Sequence, residues 1–422
     1  MKILWIMNMA LPEIAEVLSL PADYGGGWLE QPCRQIATAH ELTISFPLDE
    51  ELLPAAGEVN GIRYAAIPFV ASPEQLNSDT EQRITEIITT VNPDVIQIWG
   101  TEYLHSYAAF CVCRKLGLLS RTLVYIQGLV SVYKDYYWGY IKDSSIRRPT
   151  LKDRLRKTGP NLEYEDFFRR SPYEIEMLEQ TEHVIGRTDW DRHFALLYHP
   201  GVHYHFCNET LRPAFYEGQW SLESCNRHRI FVSQSSYPVK GLHLALESVY
   251  RLLPKYPDIM LYCTGKNRIV HSFHDIIRET RYDRYLRQLI EKYQLQNHVV
   301  FTDKLNAEQM KEQYLHAHIF LSASSIENSP NSVGEAMMLG TPVVSSDVGG
   351  VASMLTNEQE GLLYQADRVD QMMACIDRIF TDDQLALRLS EQARRRAAVT
   401  HDPETNYRQM LAIYEEVTEE AE

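Results

Sequence analysis

The stretch Ser325-Ile-Glu-Asn-Ser-Pro-Asn-Ser-Val-Gly-Glu-Ala-Met-Met-Leu-Gly-Thr-Pro-Val-Val344 carries the most information about the fold. It follows the apolar run Ile319–Ser322, which is typical of a buried strand. Pro330 cannot continue a helix, so a helix is predicted to begin at one of the next two residues. A second apolar run, Pro342–Ser345, predicts another strand. Strand, loop, helix and strand in this order indicate a parallel α/β sheet.

The same alternation extends in both directions along the chain. Strands are predicted at Ile3–Met7, Leu42–Phe46, Val95–Trp99, Leu123–Ile126 and His183–Gly186, and again at Arg229–Ser233, Met260–Cys263 and Val299–Thr302. We therefore predict an α/β fold of two Rossmann-like domains with a ligand site at the carboxyl ends of their strands. The first domain comprises residues 1–212, with a C-terminal helix at 404–422 packing back on it, and the second comprises residues 228–403.

Composition narrows the class of protein. Of the 422 residues, 45% are hydrophobic and 23% are charged, as in globular proteins. The net charge of −16 argues against nucleic acid as a partner. Seven scattered cysteines predict free thiols in a reducing compartment. No apolar run approaches the roughly 18 residues of a membrane span, so a cytoplasmic location is expected.

One segment, residues 133–157, differs from the rest of this acidic chain. Residues 142–157 contain seven basic and two acidic side chains, and several tyrosines and a tryptophan precede them. One hypothesis is peripheral contact with the inner face of a membrane or with an anionic acceptor. The alternative is a solvated loop beside a packed aromatic cluster.

The predicted helix start is suited to phosphate. The amides of residues 332–334 are expected to be free and to lie at the positive end of the helix dipole. The sequence Ser332-Val-Gly-Glu335, placed in the first turn, also fits a capping box, which requires no ligand. A second glutamate, Glu327, and the run Gly340-Thr-Pro-Val-Val favour ligand binding.

Two glutamates separated by seven residues, then an Ala-Met-rich helix and Gly-x-Pro-Val-Val, resemble the motif of the family-4 retaining glycosyltransferases. The resemblance covers roughly residues 229–365. It implies the GT-B architecture, in which two Rossmann-like domains face a central cleft. It also implies transfer of a sugar from a nucleoside-diphosphate sugar to a hydroxyl of a glycan or lipid-linked acceptor, as in polysaccharide or cell-surface glycan biosynthesis. No cofactor is implied, and no Asp-x-Asp or histidine cluster is placed to bind a metal.

The resemblance assigns roles to individual residues of the motif. Glu335 would bind the ribose hydroxyls of the nucleotide, and Glu327 would bind hydroxyls of the transferred sugar. The main-chain N–H groups of Asn331, Ser332 and Val333 would face that sugar or its diphosphate.

A second feature of the family is Gly-Arg followed by Lys-Gly after the first strand of the nucleotide domain. Lys240-Gly241 is present, and Lys240 would neutralise charge on the departing diphosphate. The arginine position is occupied by Gln234. Arg187, which follows a strand of the first half, is the candidate substitute. The alternative for Arg187 is an ion pair with Asp189 or Asp191.

Loops after other strands complete the predicted site. Gly265, Lys304 and Leu305 would surround the base, mainly through main-chain contacts. The residues predicted on the acceptor side are Gly26, Gly27, Gln127 and His105. Gln127 can hydrogen-bond a sugar but cannot act as a base, and His105 has a packing role as its alternative.

Two rival functions remain open at this point. A nucleotide-sugar epimerase on the same fold would release epimerised donor without an acceptor. A non-catalytic nucleotide-sugar-binding partner of another transferase, which Gln234 and Gln127 favour, would bind donor without transferring or hydrolysing it.

Overall fold

The protein is described here by a computed structural model over residues 1–20, 27–148, 159–269 and 279–421. The chain divides into two compact units. Unit 1 comprises residues 1–131, 168–212 and 401–422, and unit 2 comprises residues 132–167 and 213–400.

The strands of the first 212 residues are β1 (Lys2–Ile6), β2 (Glu41–Ser45), β3 (Pro47–Leu48), β4 (Ala56–Val59), β5 (Ile62–Ala65), β6 (Ile67–Pro68), β7 (Val95–Trp99), β8 (Thr122–Tyr125), β9 (His183–Gly186) and β10 (His203–Phe206). The helices are α1 (Pro12–Val17), α2 (Glu30–Ala39), α3 (Ser78–Val91), α4 (Leu104–Lys115), α5 (Val130–Tyr136), α6 (Pro160–Gln180) and α7 (Asp189–Tyr198). Eight strands form one sheet in the order β10-β9-β8-β7-β1-β2-β5-β4, and among the described residues only the β4–β5 pair of this sheet is antiparallel.

The strands of the remaining chain are β11 (Arg229–Val232), β12 (Met260–Cys263), β13 (Val299–Phe301), β14 (Ile319–Ser322), β15 (Val343–Ser346) and β16 (Leu362–Tyr364). The helices are α8 (Leu242–Leu252), α9 (Arg281–Lys292), α10 (Ala307–His316), α11 (Asn331–Leu339), α12 (Val351–Met354), α13 (Val369–Thr381), α14 (Asp383–Thr400) and α15 (Pro403–Ala421). The strands form a parallel sheet in the order β13-β12-β11-β14-β15-β16. This is the strand order of nucleotide-binding Rossmann domains, and the predicted α/β class with parallel sheets is confirmed.

The C-terminal helix α15 completes the core of unit 1. Met410, Ile413, Tyr414 and Val417 on one face of α15 are buried in that core. The hydroxyl of Tyr414 accepts a hydrogen bond from the indole of Trp5 at 2.9 Å. Residues from opposite ends of the sequence therefore stabilise the same sheet.

Residues 132–167 belong to unit 2, whereas the sequence analysis assigned them to the first domain. The reason is apolar burial, because Tyr137, Trp138, Ile141 and Ile146 join the core that α8 and α9 cover. The aromatic side chains that looked like a surface feature in the sequence supply part of this core.

Candidate functional site

The order of strands in unit 2 places two loops side by side. Successive strands run outward from β11 in one direction and from β14 in the other, so the chain order reverses between these neighbours. In open α/β sheets, ligands bind outside the carboxyl ends of strands at such a reversal point. The loop after β11 contains Lys240, and the loop after β14 contains Glu327 and leads into α11.

Lys240 and Glu327 form an ion pair between these two loops. The Lys240 Nζ lies 2.6 Å from the Glu327 Oε1, and the Ser324 hydroxyl donates to the same oxygen at 2.7 Å. The side chains are 23% and 10% exposed, so the pair is partly shielded yet open on one side. The ammonium group has three N–H donors, so it keeps capacity for a further acceptor.

Two glycines allow the loops to approach this closely. Gly241 has φ +69°, and a Cβ on it would lie 1.9 Å from the Ala323 carbonyl oxygen. Gly349 has φ +52°, and a Cβ there would lie 1.9 Å from the Glu327 carbonyl oxygen. The Gly350 amide donates to that same oxygen at 3.0 Å. The Gly-Gly run after β15 therefore holds the backbone of Glu327 in place.

Helix α11 begins at Asn331, as predicted from Pro330. The N-cap position is Pro330 itself, without a side-chain hydrogen bond, so the alternative of a Ser332–Glu335 capping box is wrong. Glu335 is the fifth helical residue and not part of the first turn, which is a second correction. Its side chain is buried and accepts a hydrogen bond from the Tyr314 hydroxyl at 3.2 Å.

The expectation of three free amides at this helix start needs correction as well. The N–H groups of Val333 and Gly334 donate to the Pro330 carbonyl at 2.9 and 3.4 Å. Within the described part of the chain, the Ser332 N–H is a donor without a hydrogen-bond partner. It lies at the positive end of the α11 dipole and can bind an anion.

The loops after β12 and β13 are joined to this edge of the sheet. The Gly265 amide donates to the Asp303 carbonyl at 3.2 Å, which positions the neighbouring Lys304 and Leu305. A Cβ on Gly265 would lie 2.6 Å from the Ser235 hydroxyl. Ser235 directly follows Gln234 in the loop after β11. The loop of Gly265, one of the predicted base-binding residues, therefore contacts the loop that carries Gln234.

Arg268 is a cation of this region that sequence reasoning missed. It is buried, and its guanidinium contacts Asp283 at 2.8 Å and the Ser235 hydroxyl at 3.2 Å. Arg268 comes three residues after Gly265 in the loop predicted to surround the base, and this position could have indicated it as a residue of the site. Its charge is balanced by Asp283, so it ties the loop after β12 to helix α9.

Arg187 and Gln127 converge in unit 1 on a carboxylate that the sequence analysis did not select. Arg187 is buried, and its NH1 lies 2.6 Å from the Glu209 Oε2. Gln127 Nε2 donates to the other oxygen of Glu209 at 2.7 Å. Arg187 therefore forms an ion pair, as its alternative proposed, but with Glu209, which that alternative did not name. The proposed phosphate-binding role of Arg187 stays a prediction.

His105 is a packing residue in unit 1. It is buried, and its Nε2 lies 3.0 Å from the Asn8 Oδ1, across the chain reversal between β1 and β7. Burial lowers the pKa of His105 to about 3, so its ring is neutral at pH 7. Glu102, which follows β7, was not among the predicted site residues. Burial raises the pKa of its carboxyl to about 7. Among the predicted acceptor-side glycines, Gly27 opens a 3₁₀ turn, and position 26 falls outside the described residues.

The aromatic, basic segment is divided by the fold. Tyr137 and Trp138 are buried, as the packed-cluster alternative proposed, whereas Tyr136 and Tyr140 are 42% and 41% exposed. Residues 149–157 lie outside the described residues. In the described ranges, none of the helices has the length and apolar composition needed to cross a bilayer. Peripheral membrane contact stays a prediction.

The comparison with protein families agrees with this geometry. Residues 222–396 match the model described as "Glycosyl transferases group 1". These residues are therefore similar to a group 1 glycosyltransferase domain. The matched range includes the loops of Lys240 and Glu327, helix α11 and most of unit 2.

Curated relatives align with the chain over part of their length. The putative glycosyltransferase YtcC of Bacillus subtilis (strain 168) is 31% identical over 160 residues, which are 37% of this chain and 38% of YtcC. The chain aligns with less than half the length of the curated relatives that it matches.

Solved structures resemble the whole chain in fold. Sucrose-phosphate synthase from Thermosynechococcus elongatus has a TM-score of 0.68 at 16% identity, covering 98% of each chain. Anabaena HepE in complex with UDP has a TM-score of 0.64 at 15% identity, covering 99% of this chain and 100% of HepE. The predicted GT-B-type α/β fold is confirmed by these likenesses.

Proposed function

We propose that the protein is a retaining glycosyltransferase of family 4 that transfers a sugar from a nucleoside-diphosphate sugar to a hydroxyl of a glycan or glycolipid. The observation that supports this most is the Lys240–Glu327 pair, 2.6 Å apart at the chain reversal beside the start of α11. The group 1 domain match covers these residues.

The donor diphosphate would bind between a cation and a helix end. Lys240 uses one of its N–H donors on Glu327 and can offer another to a phosphate oxygen. The Ser332 N–H and the α11 dipole add a second positive group. Both charges act where negative charge develops on the departing diphosphate, so they stabilise the transition state more than the bound donor.

The two glutamates would bind hydroxyl groups. A carboxylate accepts about four hydrogen bonds, so the bond from Tyr314 leaves Glu335 able to accept from the ribose hydroxyls. Glu327 accepts from Lys240 and Ser324 on one oxygen, which leaves the other for a hydroxyl of the transferred sugar.

In the proposed reaction, the bond between the anomeric carbon and the diphosphate oxygen breaks. The acceptor oxygen bonds to the same face of that carbon, and its proton passes to the leaving diphosphate. This route requires no protein base on that face. Lys240 and the Ser332 N–H would stabilise the diphosphate until it takes the proton.

UDP-glucose is the first donor to test, because the structurally similar HepE has been solved with UDP and with UDP-glucose. We would screen nucleoside diphosphates and their sugars by thermal shift, since a ligand that binds only the folded state raises the melting temperature. Transfer or slow hydrolysis of the binding donor would then be measured. Epimerised free donor would instead identify an epimerase, and binding without turnover a non-catalytic partner.

A further inference from the structure

Three histidines and two glutamates meet in unit 1 at the edge of the sheet where strands begin. His183 is the first residue of β9, and its register partner His203 is the first residue of β10. His205 lies two residues further along β10. Side chains two residues apart in a strand share a face of the sheet. The last turns of α15 bring Glu416 and Glu420 to the same place.

The distances between potential metal ligands are short. The Glu420 Oε2 lies 3.7 Å from the His183 Nε2 and 4.0 Å from the His203 Nδ1. One ligand atom from each of these residues lies within 4.8 Å of the other two. No histidine cluster placed for a metal was expected from the sequence, and this group forms because residues far apart in the chain meet through β9–β10 pairing and the C-terminal helix.

The ligand set and its spacing suit zinc. Zinc binds histidine nitrogen and carboxylate oxygen at about 2.0–2.2 Å, so tetrahedral ligand atoms lie about 3.3 Å apart. The distances from the Glu420 Oε2 to the His183 Nε2 and the His203 Nδ1 exceed this value by less than an ångström. The side chains of His203 and Glu420 are 56% and 43% exposed, so rotation about their own bonds can close the gap.

Neighbouring side chains orient His183, the buried residue among the three potential metal ligands. The Nδ1 of His183 lies 3.1 Å from the His205 Nε2, and the His205 Nδ1 lies 3.8 Å from the Glu416 Oε2. A histidine that binds metal through one nitrogen is commonly fixed through the other by such a partner. Here His205 and Glu416 would direct the Nε2 of His183 toward Glu420.

We propose that His183, His203 and Glu420 bind one Zn²⁺ ion, with water as the fourth ligand, and that the ion fastens the end of α15 to β9 and β10. The site lies at the edge of its sheet where β9 and β10 begin and involves no residue assigned to the donor. The proposal therefore stands apart from the proposed transferase activity. Its consequence would be structural, because α15 supplies Tyr414 and its neighbours to the core of unit 1.

The test is zinc binding by calorimetry to the full chain, free of any affinity tag and treated with a chelator. We expect saturable binding of one Zn²⁺ per chain, a higher melting temperature with Zn²⁺ than with Mg²⁺, and slower hydrogen exchange in the last turns of α15. His203→Ala and Glu420→Gln should each weaken binding at least about tenfold. Both side chains are about half exposed, so the variants should keep the native circular dichroism.

Two exposed residues of the same types provide controls. His193→Ala on α7 and Glu419→Gln on α15 lie outside the cluster and should bind Zn²⁺ as the parent does. Equal zinc affinity in the parent and in both ligand variants would overturn the proposal. Binding of several ions per chain without any change in the exchange of α15 would overturn it as well.

Discussion

Replacement of Lys240 by alanine tests the proposed site most directly. The ammonium is partly shielded and lies 2.6 Å from Glu327, so its removal deletes the charge that we propose binds the diphosphate and unpairs one carboxylate. Loss of one such electrostatic donor lowers kcat by about 100-fold to 1000-fold in other enzymes, or about 3–4 kcal/mol. We expect a fall of that size in kcat for sugar transfer, measured by steady-state release of the nucleoside diphosphate.

Stability and activity can be separated by a second substitution. Breaking a fully buried ion pair costs about 3–5 kcal/mol and an exposed one at most about 1 kcal/mol, so Lys240→Ala should cost about 1–3 kcal/mol of unfolding free energy. Glu327→Gln added to Lys240→Ala removes the unpaired charge and should restore most of the melting temperature. It should not restore kcat.

The matched control is Lys255→Ala, because Lys255 also lies in unit 2 and pairs with a carboxylate, Asp377, but its side chain is 56% exposed. This variant should retain kcat within about twofold and unfold at nearly the parent's melting temperature, because an exposed ion pair contributes little to stability. Full turnover by a folded Lys240→Ala protein would refute the assignment of Lys240. A double variant that regains both stability and turnover would show that Lys240 serves only the fold.

Three further predictions concern other parts of the chain. Glu335→Gln should raise the donor KM about tenfold with little change in kcat, because it weakens hydrogen bonds made equally in ground and transition states; an unchanged KM would remove the ribose role. Gly349→Ala should lower donor affinity in calorimetry without changing any side chain that binds donor, since its Cβ would displace the Glu327 carbonyl. Burial lowers the pKa of His243 to about 4, so the unfolded state protonates first and stability should fall by about 3 kcal/mol between pH 6.5 and 4. Urea unfolding of His243→Gln, compared with the exposed His193→Gln, should show a smaller loss over that interval.

The parts of the fold that depend on local sequence were predictable. The strands at Val95–Trp99, Met260–Cys263 and Ile319–Ser322 have the predicted bounds, because each is a short apolar run with turn residues or helical periodicity around it. The start of α11 follows from the proline that precedes it. The short strands β3 and β6 were missed, since two residues give no periodicity.

What the sequence could not supply is the choice of partner. Arg187 was expected to bind a phosphate or to pair with Asp189 or Asp191, and its guanidinium pairs with Glu209, which follows β10. His105 was predicted on the acceptor side, with a packing role as its alternative, and only the packing of α4 shows that its ring is buried against Asn8. Pairings of this kind depend on which strands become neighbours, and no local pattern encodes that choice.

The Lys240–Glu327 pair has a consequence for the order of events at the site. An ammonium and a carboxylate buried separately would each lose hydration, and their contact offsets part of that cost. Each partner therefore keeps the other from being an unpaired, partly shielded charge before any donor arrives. A diphosphate that approaches Lys240 brings negative charge toward Glu327, so Glu327 must gain a new donor if the pair is to stay intact. Hydroxyls of the transferred sugar are suited to be that donor, and nucleoside diphosphate lacking the sugar should bind Lys240 at a greater cost. Calorimetry would give the affinity for the nucleoside-diphosphate sugar divided by the affinity for the nucleoside diphosphate. This ratio should be smaller in Glu327→Gln than in the parent.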